Sequence, residues 1–284
     1  GSWEPALQLL CEMADDRVER DTITFNATIS SCEKGGVWDL ALHVLHKMAK
    51  DHVERNTTTY SAAVSACEKG GVWEPALWLC HEMTEDRVER NTITFNASIS
   101  SCAKGGAWRS GLELLIEMAQ AGVERNTITF DAAVSACAKS GAWEWALQLL
   151  REMADCRVWR NTITFNAAVS ACEKGMAWKP ALRLFCEMAE LHVARNTITF
   201  NSTISACEKG AAWEPALRLL HEMTQEYVER DTITFNASIS ACEKGGIWEP
   251  ALHLLREMAE ACVHRNTITC NAAVSCCEKG GVWE

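Results

Sequence analysis

The sequence predicts an all-α solenoid of stacked helix-turn-helix repeats, and three observations predict it. A 35-residue unit recurs without a slip along the 284 residues, beginning at Thr22, Thr57, Thr92, Thr127, Thr162, Thr197, Thr232 and Thr267. Each unit holds two runs with apolar residues at three- and four-residue spacing. A glycine-rich corner separates the runs, as Gly35-Gly36 does in the first full unit. A fixed period of this length means one supersecondary element per unit, which can bury its apolar side only against its neighbours.

In chain order, residues 1–21 read as a trailing half repeat, the second helix of a unit. Residues 22–266 make seven full units, and residues 267–284 a leading half repeat, the first helix, all in one continuous solenoid. The chain opens on Gly1-Ser2-Trp3-Glu4 and closes at nearly the same phase on Gly281-Val282-Trp283-Glu284, so it is expected to be a segment of a longer protein. Within the first full unit a helix is predicted from Thr22 to about Lys34, free of Pro and Gly until the glycine stop. Trp38 then opens a second helix whose Trp38, Ala41, Leu42, Leu45 and Met48 form an ordinary buried stripe. Glu74-Pro75, Lys179-Pro180, Glu214-Pro215 and Glu249-Pro250 put proline in the first turn, where no hydrogen bond is lost.

Hydrophobic residues make up 48% of the chain, which argues against disorder. No apolar run approaches the roughly 18–20 residues of a membrane span, so no membrane partner is expected. Nothing at the N-terminus of this segment resembles a targeting sequence. Of the 15 cysteines, Cys32, Cys67, Cys102, Cys137, Cys172, Cys207, Cys242 and Cys277 share one slot. Equivalent sulfurs then lie about one repeat apart, beyond the Cα separation of roughly 4.4–6.8 Å that a disulfide needs. They read as small buried hydrophobes in a reducing compartment. The pairs Cys276–Cys277 and His43–His46 each occur once and read as incidental. With no paired-carboxylate, nucleophile–base or metal constellation, the expectation is no catalysis, no cofactor, no metal and no small-molecule substrate.

The first helix has two faces. Phe25, Ile29 and Cys32 line one, a core stripe; Ile23, Asn26, Ser30 and Lys34 line the other. The second face offers an apolar wedge, an amide, a hydroxyl and a cation, and it recurs in each unit. Stacked side by side, such stripes suit a polymer with a flat base and a phosphate at regular intervals, which is single-stranded nucleic acid.

Thr24-Phe25-Asn26, Cys32-Glu33-Lys34-Gly35, Ala41-Leu42 and Met48, at these spacings, resemble the pentatricopeptide repeat over the whole chain. The tetratricopeptide repeat, a protein-binding relative, has 34 residues and lacks the exposed amide. The resemblance implies a right-handed superhelix that binds single-stranded RNA, one base per repeat, read by two side chains. One implied reader is the fifth residue of the unit: Asn26, Ser61, Asn96, Asp131, Asn166, Asn201, Asn236 and Asn271. Its partner is the last residue of the same unit: Asn56, Asn91, Asn126, Asn161, Asn196, Asp231 and Asn266. By resemblance, Asn with Asn favours pyrimidines, Asn with Asp favours U and Ser with Asn favours A, while Asp131 with Asn161 is unassigned. The implied site is 5′-YAYNYUY-3′. Base stacking is implied for the second slot, Ile23, Thr58, Ile93, Ile128, Ile163, Ile198, Ile233 and Ile268, where Thr58 departs from the aliphatic pattern. Phosphate contacts are implied for Lys34, Lys69, Lys104, Lys139, Lys174, Lys209, Lys244 and Lys279, which also suit the C-terminal ends of their helices.

A formal net charge of −11 runs against nucleic-acid binding unless the charges are segregated. Of the 27 Lys and Arg, 16 occupy two slots: those lysines and an arginine before the last residue of each unit, Arg20, Arg55, Arg90, Arg125, Arg160, Arg195, Arg230 and Arg265. The family usually has proline there, so a cation is expected beside the second reader and the inner groove to be near neutral or mildly positive. The acids Glu82, Asp86, Glu117, Glu152, Glu187, Glu222 and Glu257 fall on the second helix, which the family places on the convex wall. Two other readings stand beside RNA binding: a protein-binding scaffold that takes partners on this acidic face, and the RNA-recognition array of a larger nuclease or editing enzyme. Family members mostly work in mitochondria or chloroplasts, in RNA processing, stability or translation.

Overall fold

The computed structural model describes residues 3–280. These form sixteen helices and, among the described residues, no strand: α1 (Trp3–Asp15), α2 (Thr22–Gly35), α3 (Trp38–Lys50), α4 (Thr57–Gly70), α5 (Trp73–Glu85), α6 (Thr92–Gly105), α7 (Trp108–Gln120), α8 (Thr127–Ser140), α9 (Trp143–Asp155), α10 (Thr162–Lys174), α11 (Trp178–Glu190), α12 (Thr197–Lys209), α13 (Trp213–Gln225), α14 (Thr232–Gly245), α15 (Trp248–Glu260) and α16 (Thr267–Lys279). Each repeat is therefore a helical hairpin, as the period predicts. The chain divides into two compact units, the first ending at Ala136 and the second starting at Cys137, within α8.

In the first unit α2 packs on both α3 and α4, and α4 on α5 and α6. The second unit repeats the scheme, with α10 on α11 and α12, then α12 on α13 and α14. The predicted core stripe is the seam: Phe25, Ile29 and Cys32 are fully buried and meet Ala41, Leu45 and Met48 of the second helix. Phe235, Ile239 and Cys242 do the same against Ala251, Leu254 and Met258. Each such aromatic or aliphatic side chain contributes about 1.5–3 kcal/mol when taken out of water, so the seam dominates the local balance.

The glycine corner has a finer logic than a stop signal. Gly36, Gly71, Gly106 and Gly246 take φ between 69° and 75°, the left-handed cap that glycine adopts without strain. The glycine before them is kept small by a neighbour: a Cβ on Gly70 would stand 2.3 Å from Trp38 Cδ1, and one on Gly105 only 2.1 Å from Trp73 Cδ1. The tryptophans that open the second helices, among them Trp38, Trp73, Trp178 and Trp213, thus lie over the corner of the following repeat.

Candidate functional site

One face of the first helices stays open to solvent. Ile23, Ile93, Ile128, Ile163, Ile198, Ile233 and Ile268 are 60–76% exposed. Thr58 occupies the same slot and is exposed too. Seven isoleucines left in water at one helical position are a cost that packing within the chain does not relieve.

Three residues along each helix stands the predicted first reader, half-buried in the seven full units; Asn271, in the incomplete last copy, is exposed. Its predicted partner is placed beside it by helix capping. Asn56 has extended backbone, and its side chain accepts from the Thr59 backbone N–H at the start of α4. Asn26 Nδ2 reaches Asn56 Oδ1 at 3.5 Å. The same geometry joins Asn96 to Asn126 at 3.4 Å, Asn166 to Asn196 at 3.3 Å and Asn236 to Asn266 at 3.4 Å. Asn201 donates to both carboxylate oxygens of Asp231, at 3.1 and 3.2 Å. Ser61 and Asn91 are joined through the Thr94 hydroxyl, 2.9 Å from Ser61 Oγ and 3.0 Å from Asn91 Oδ1. Asp131 lies in the first compact unit on α8, and Asn161 in the second, capping α10.

Capping decides what each pair presents. Asn56, Asn196 and Asn266 turn Oδ1 toward the helix N-terminus, so their NH2 groups face outward as donors. Asp231 spends Oδ1 on the Thr234 backbone N–H at 2.9 Å and keeps Oδ2, bonded only to Asn201, as an outward acceptor. Burial would raise the Asp231 carboxyl, but the Thr234 N–H and hydroxyl and Asn201 outweigh it and hold it below the ordinary value. It is therefore an anion at neutral pH. An outward donor suits the ring N3 of cytosine or a uracil carbonyl, whereas an outward carboxylate suits the N3–H of uracil.

The cations are more committed than the sequence suggests. Lys69 pairs with Glu33 at 2.9 Å, Lys104 with Glu68 at 3.2 Å, Lys209 with Glu173 at 2.9 Å, Lys244 with Glu208 at 2.7 Å and Lys279 with Glu243 at 3.0 Å. All eight lysines of the slot remain exposed, so these pairs are screened and exchangeable. Ala138 replaces the glutamate ahead of Lys174, which has no ion pair among the described residues.

The arginine slot corrects the expectation of a cation beside the second reader. Arg55 pairs with Glu82 and Asp86 at 2.5 Å, Arg90 with Glu117 at 2.7 Å and Arg160 with Glu187 at 2.6 Å; Arg195 with Glu222 and Arg230 with Glu257 follow suit. These guanidinium side chains are only 13–19% exposed. Each crosses the aromatic ring of the next first helix, as Arg90 does 4.8 Å from the Phe95 centroid, to reach the acids of the next second helix. The acids expected on an outer wall are thus partly spent on arginines, and the groove gains no charge from this slot.

The residue that sequence reading overlooked is the threonine at the third position of each unit. Thr59, Thr94, Thr129, Thr199, Thr234 and Thr269 are fully buried and serve the caps. The signal was an Asn/Asp-x-x-Thr capping spacing that straddles the boundary at which the units were cut. Among the described residues no group of three or more His, Cys, Asp or Glu could hold a metal ion, and no helix is long and apolar enough to cross a membrane.

The sequence pattern of the pentatricopeptide repeat domain matches residues 8–70 and 113–175, and that of the PPR repeat matches residues 58–88, 93–123, 163–193, 198–228 and 233–263. No curated protein sequence matches the chain. Among solved structures it is similar to the pentatricopeptide repeat protein PPR10 from maize, at 19% identity and a TM-score of 0.55 over 98% of this chain and 50% of that one. The chain thus spans about half the length of that protein. It is also similar to nuclear proteinaceous RNase P 2 from A. thaliana, at 15% identity and a TM-score of 0.58 over 64% of this chain and 41% of that one. The PPR domain of Arabidopsis thaliana protein-only RNase P 1, in complex with tRNA, matches at 15% identity and a TM-score of 0.53 over 60% of this chain and 90% of that one. These likenesses are of fold: stacked helical hairpins.

Proposed function

The chain belongs to the pentatricopeptide repeat family, and on that premise we propose that it binds single-stranded RNA sequence-selectively, one base per repeat, at a site of the form 5′-YAYNYUY-3′. The observation that carries the reading is the recurring pairing of an exposed isoleucine with two hydrogen-bonding side chains one helical turn away. The isoleucines Ile23, Ile93 and Ile233 offer a face to a base, and Asn26–Asn56, Asn96–Asn126 and Asn236–Asn266 offer donors to its edge. The family relative whose PPR domain is in complex with tRNA supports RNA as the polymer.

The exposed lysines Lys34, Lys69, Lys104, Lys139, Lys174, Lys209, Lys244 and Lys279 would meet phosphates by exchanging glutamate for backbone oxygens, which makes their contribution small and base readout decisive. Binding acts by occupancy: covering a site on a transcript, blocking exonucleases or remodelling RNA structure. By family habit the transcript belongs to a mitochondrion or chloroplast.

The test is equilibrium binding, at about physiological salt, of the purified chain to single-stranded RNA carrying 5′-CACUCUC-3′ against a scrambled RNA of equal composition. A preference of at least about tenfold is expected, equivalent to about 1.4 kcal/mol. Equal affinity for both would overturn sequence selectivity, and no binding to either would overturn RNA binding.

A further inference from the structure

We propose that the buried threonine at the third position of each repeat is a specificity-determining positioning residue for the base read by the preceding repeat, so that each reading site is built from two repeats. The proposal rests on the RNA-binding reading above.

The observation is a short hydrogen bond that recurs down the chain. Thr59 Oγ1 lies 2.6 Å from Asn26 Oδ1, and Thr129 from Asn96, Thr199 from Asn166 and Thr234 from Asn201 stand at the same 2.6 Å, with Thr269 at 2.5 Å from Asn236. Each hydroxyl is fully buried and also lies about 3 Å from the capping oxygen of the second reader, as at 3.0 Å from Asn56 Oδ1 and 2.9 Å from Asp231 Oδ1. A hydroxyl has one proton, and the shorter contact takes it. Thr59 therefore donates to the first reader, while the second reader's oxygen is satisfied by the backbone N–H.

The Asp231 repeat fixes the amide orientation independently. A carboxylate only accepts, so Asn201 must turn its NH2 toward Asp231 and its carbonyl toward the Thr234 hydroxyl. One Asn201 N–H is spent on the carboxylate, and the other is directed outward. Without the threonine proton, the amide is held only by its longer contact to the second reader's oxygen, 3.1 Å in the Asn201–Asp231 pair and 3.5 Å in the Asn26–Asn56 pair against 2.6 Å to the threonine. The amide can then turn over, present an acceptor instead of a donor, and leave the neighbouring carboxylate without its Asn partner. A buried methyl in place of the hydroxyl also strands the Asn carbonyl, which costs enough to favour that rotation.

The test uses the sixth base of the site, read by Asn201 and Asp231. Relative affinities for RNA with U or C at that base are measured for the wild type, Thr234→Val and Thr234→Ser, with a melting curve for each. The wild type should prefer U by roughly tenfold, Thr234→Val should reduce the preference to below about threefold, and Thr234→Ser should restore it. A Thr234→Val protein that binds both RNAs more weakly but keeps the wild-type ratio would overturn the proposal, because the threonine would then serve only the helix cap. A wild type with no U preference would instead overturn the underlying reading, and this inference with it. Should Thr234→Val fail to fold, Thr59→Val makes the same measurement at the first base, where loss of pyrimidine-over-purine preference is expected and its retention would be contrary.

Discussion

Ala211 and Met176 occupy the corner slot that glycine fills elsewhere, and both sit at positive φ, 53° and 55°. A side chain in the left-handed region costs about 1–2 kcal/mol, so Ala211→Gly is expected to raise the unfolding free energy by about 1 kcal/mol, read by urea denaturation. The preceding slot obeys the opposite rule: Gly70→Ala should destabilise by about 1–3 kcal/mol, since its Cβ would stand 2.3 Å from Trp38 Cδ1. Burial pushes the thiols of Cys67, Cys102, Cys137, Cys172, Cys207 and Cys242 up to about 12. They remain protonated at neutral pH, and iodoacetamide on the native protein should label the exposed Cys11, Cys186 and Cys262 while sparing all six, as peptide mapping would show. At this scale the sequence made the core legible, because Phe25, Ile29 and Cys32 follow the helical period whatever surrounds them. The Thr59 hydroxyl and the Arg90 guanidinium were not legible. Their partners lie 33 and 27 residues away, and pairing across repeats leaves no local pattern.

The first helices of the repeats are held at their starts by side-chain caps and the hairpins to one another by ion pairs, and both can be perturbed singly. Arg20 meets Asp51 at 2.8 Å, but Lys47 stands where the later repeats carry glutamate, and Arg20 Nη1 is buried with no hydrogen-bond partner. Lys47→Glu should supply that partner and stabilise α3 against α2 by about 1–2 kcal/mol, measured as a shift in the denaturation midpoint. The Asp231 cap gives a pH signature. Its folded carboxyl is held below the ordinary value, so its stabilising contribution is complete above that value and is lost as pH falls below about 4 toward the folded value. Between pH 5 and pH 3 the wild type should therefore lose more melting temperature than Asp231→Asn, and an equal loss would contradict the capping role. Helix positions were legible to within a residue or two from the Thr22 start, the glycine corner and Trp38. The hydrogen bonds of the caps were not, because the unit was cut between Asn56 and Thr57, through the motif itself.

Over the whole molecule the charge of −11 is organised into internal pairs, lysine with glutamate across successive first helices and arginine with acids of the second helices. Eight uncompensated lysine–phosphate contacts would give log affinity against log salt a slope of about −6, at roughly −0.7 per contact on a single strand. A much shallower slope is expected here, and replacing Glu33, Glu173 and Glu208 by Gln should steepen it and tighten binding to any RNA without changing base preference. The fold of the array was legible from period alone; its electrostatics were not, because counting charges does not reveal which are spent on one another. If side chains at two fixed positions in each repeat choose the base, exchanging one of them changes the base that is bound. Affinities of the wild type and Ser61→Asn are measured for RNA with A or C at the second base of the site. The wild type is expected to prefer A and Ser61→Asn to reverse the preference to C, with the other six bases still read as before. An unchanged preference, or equal binding of both RNAs by both proteins, would contradict it.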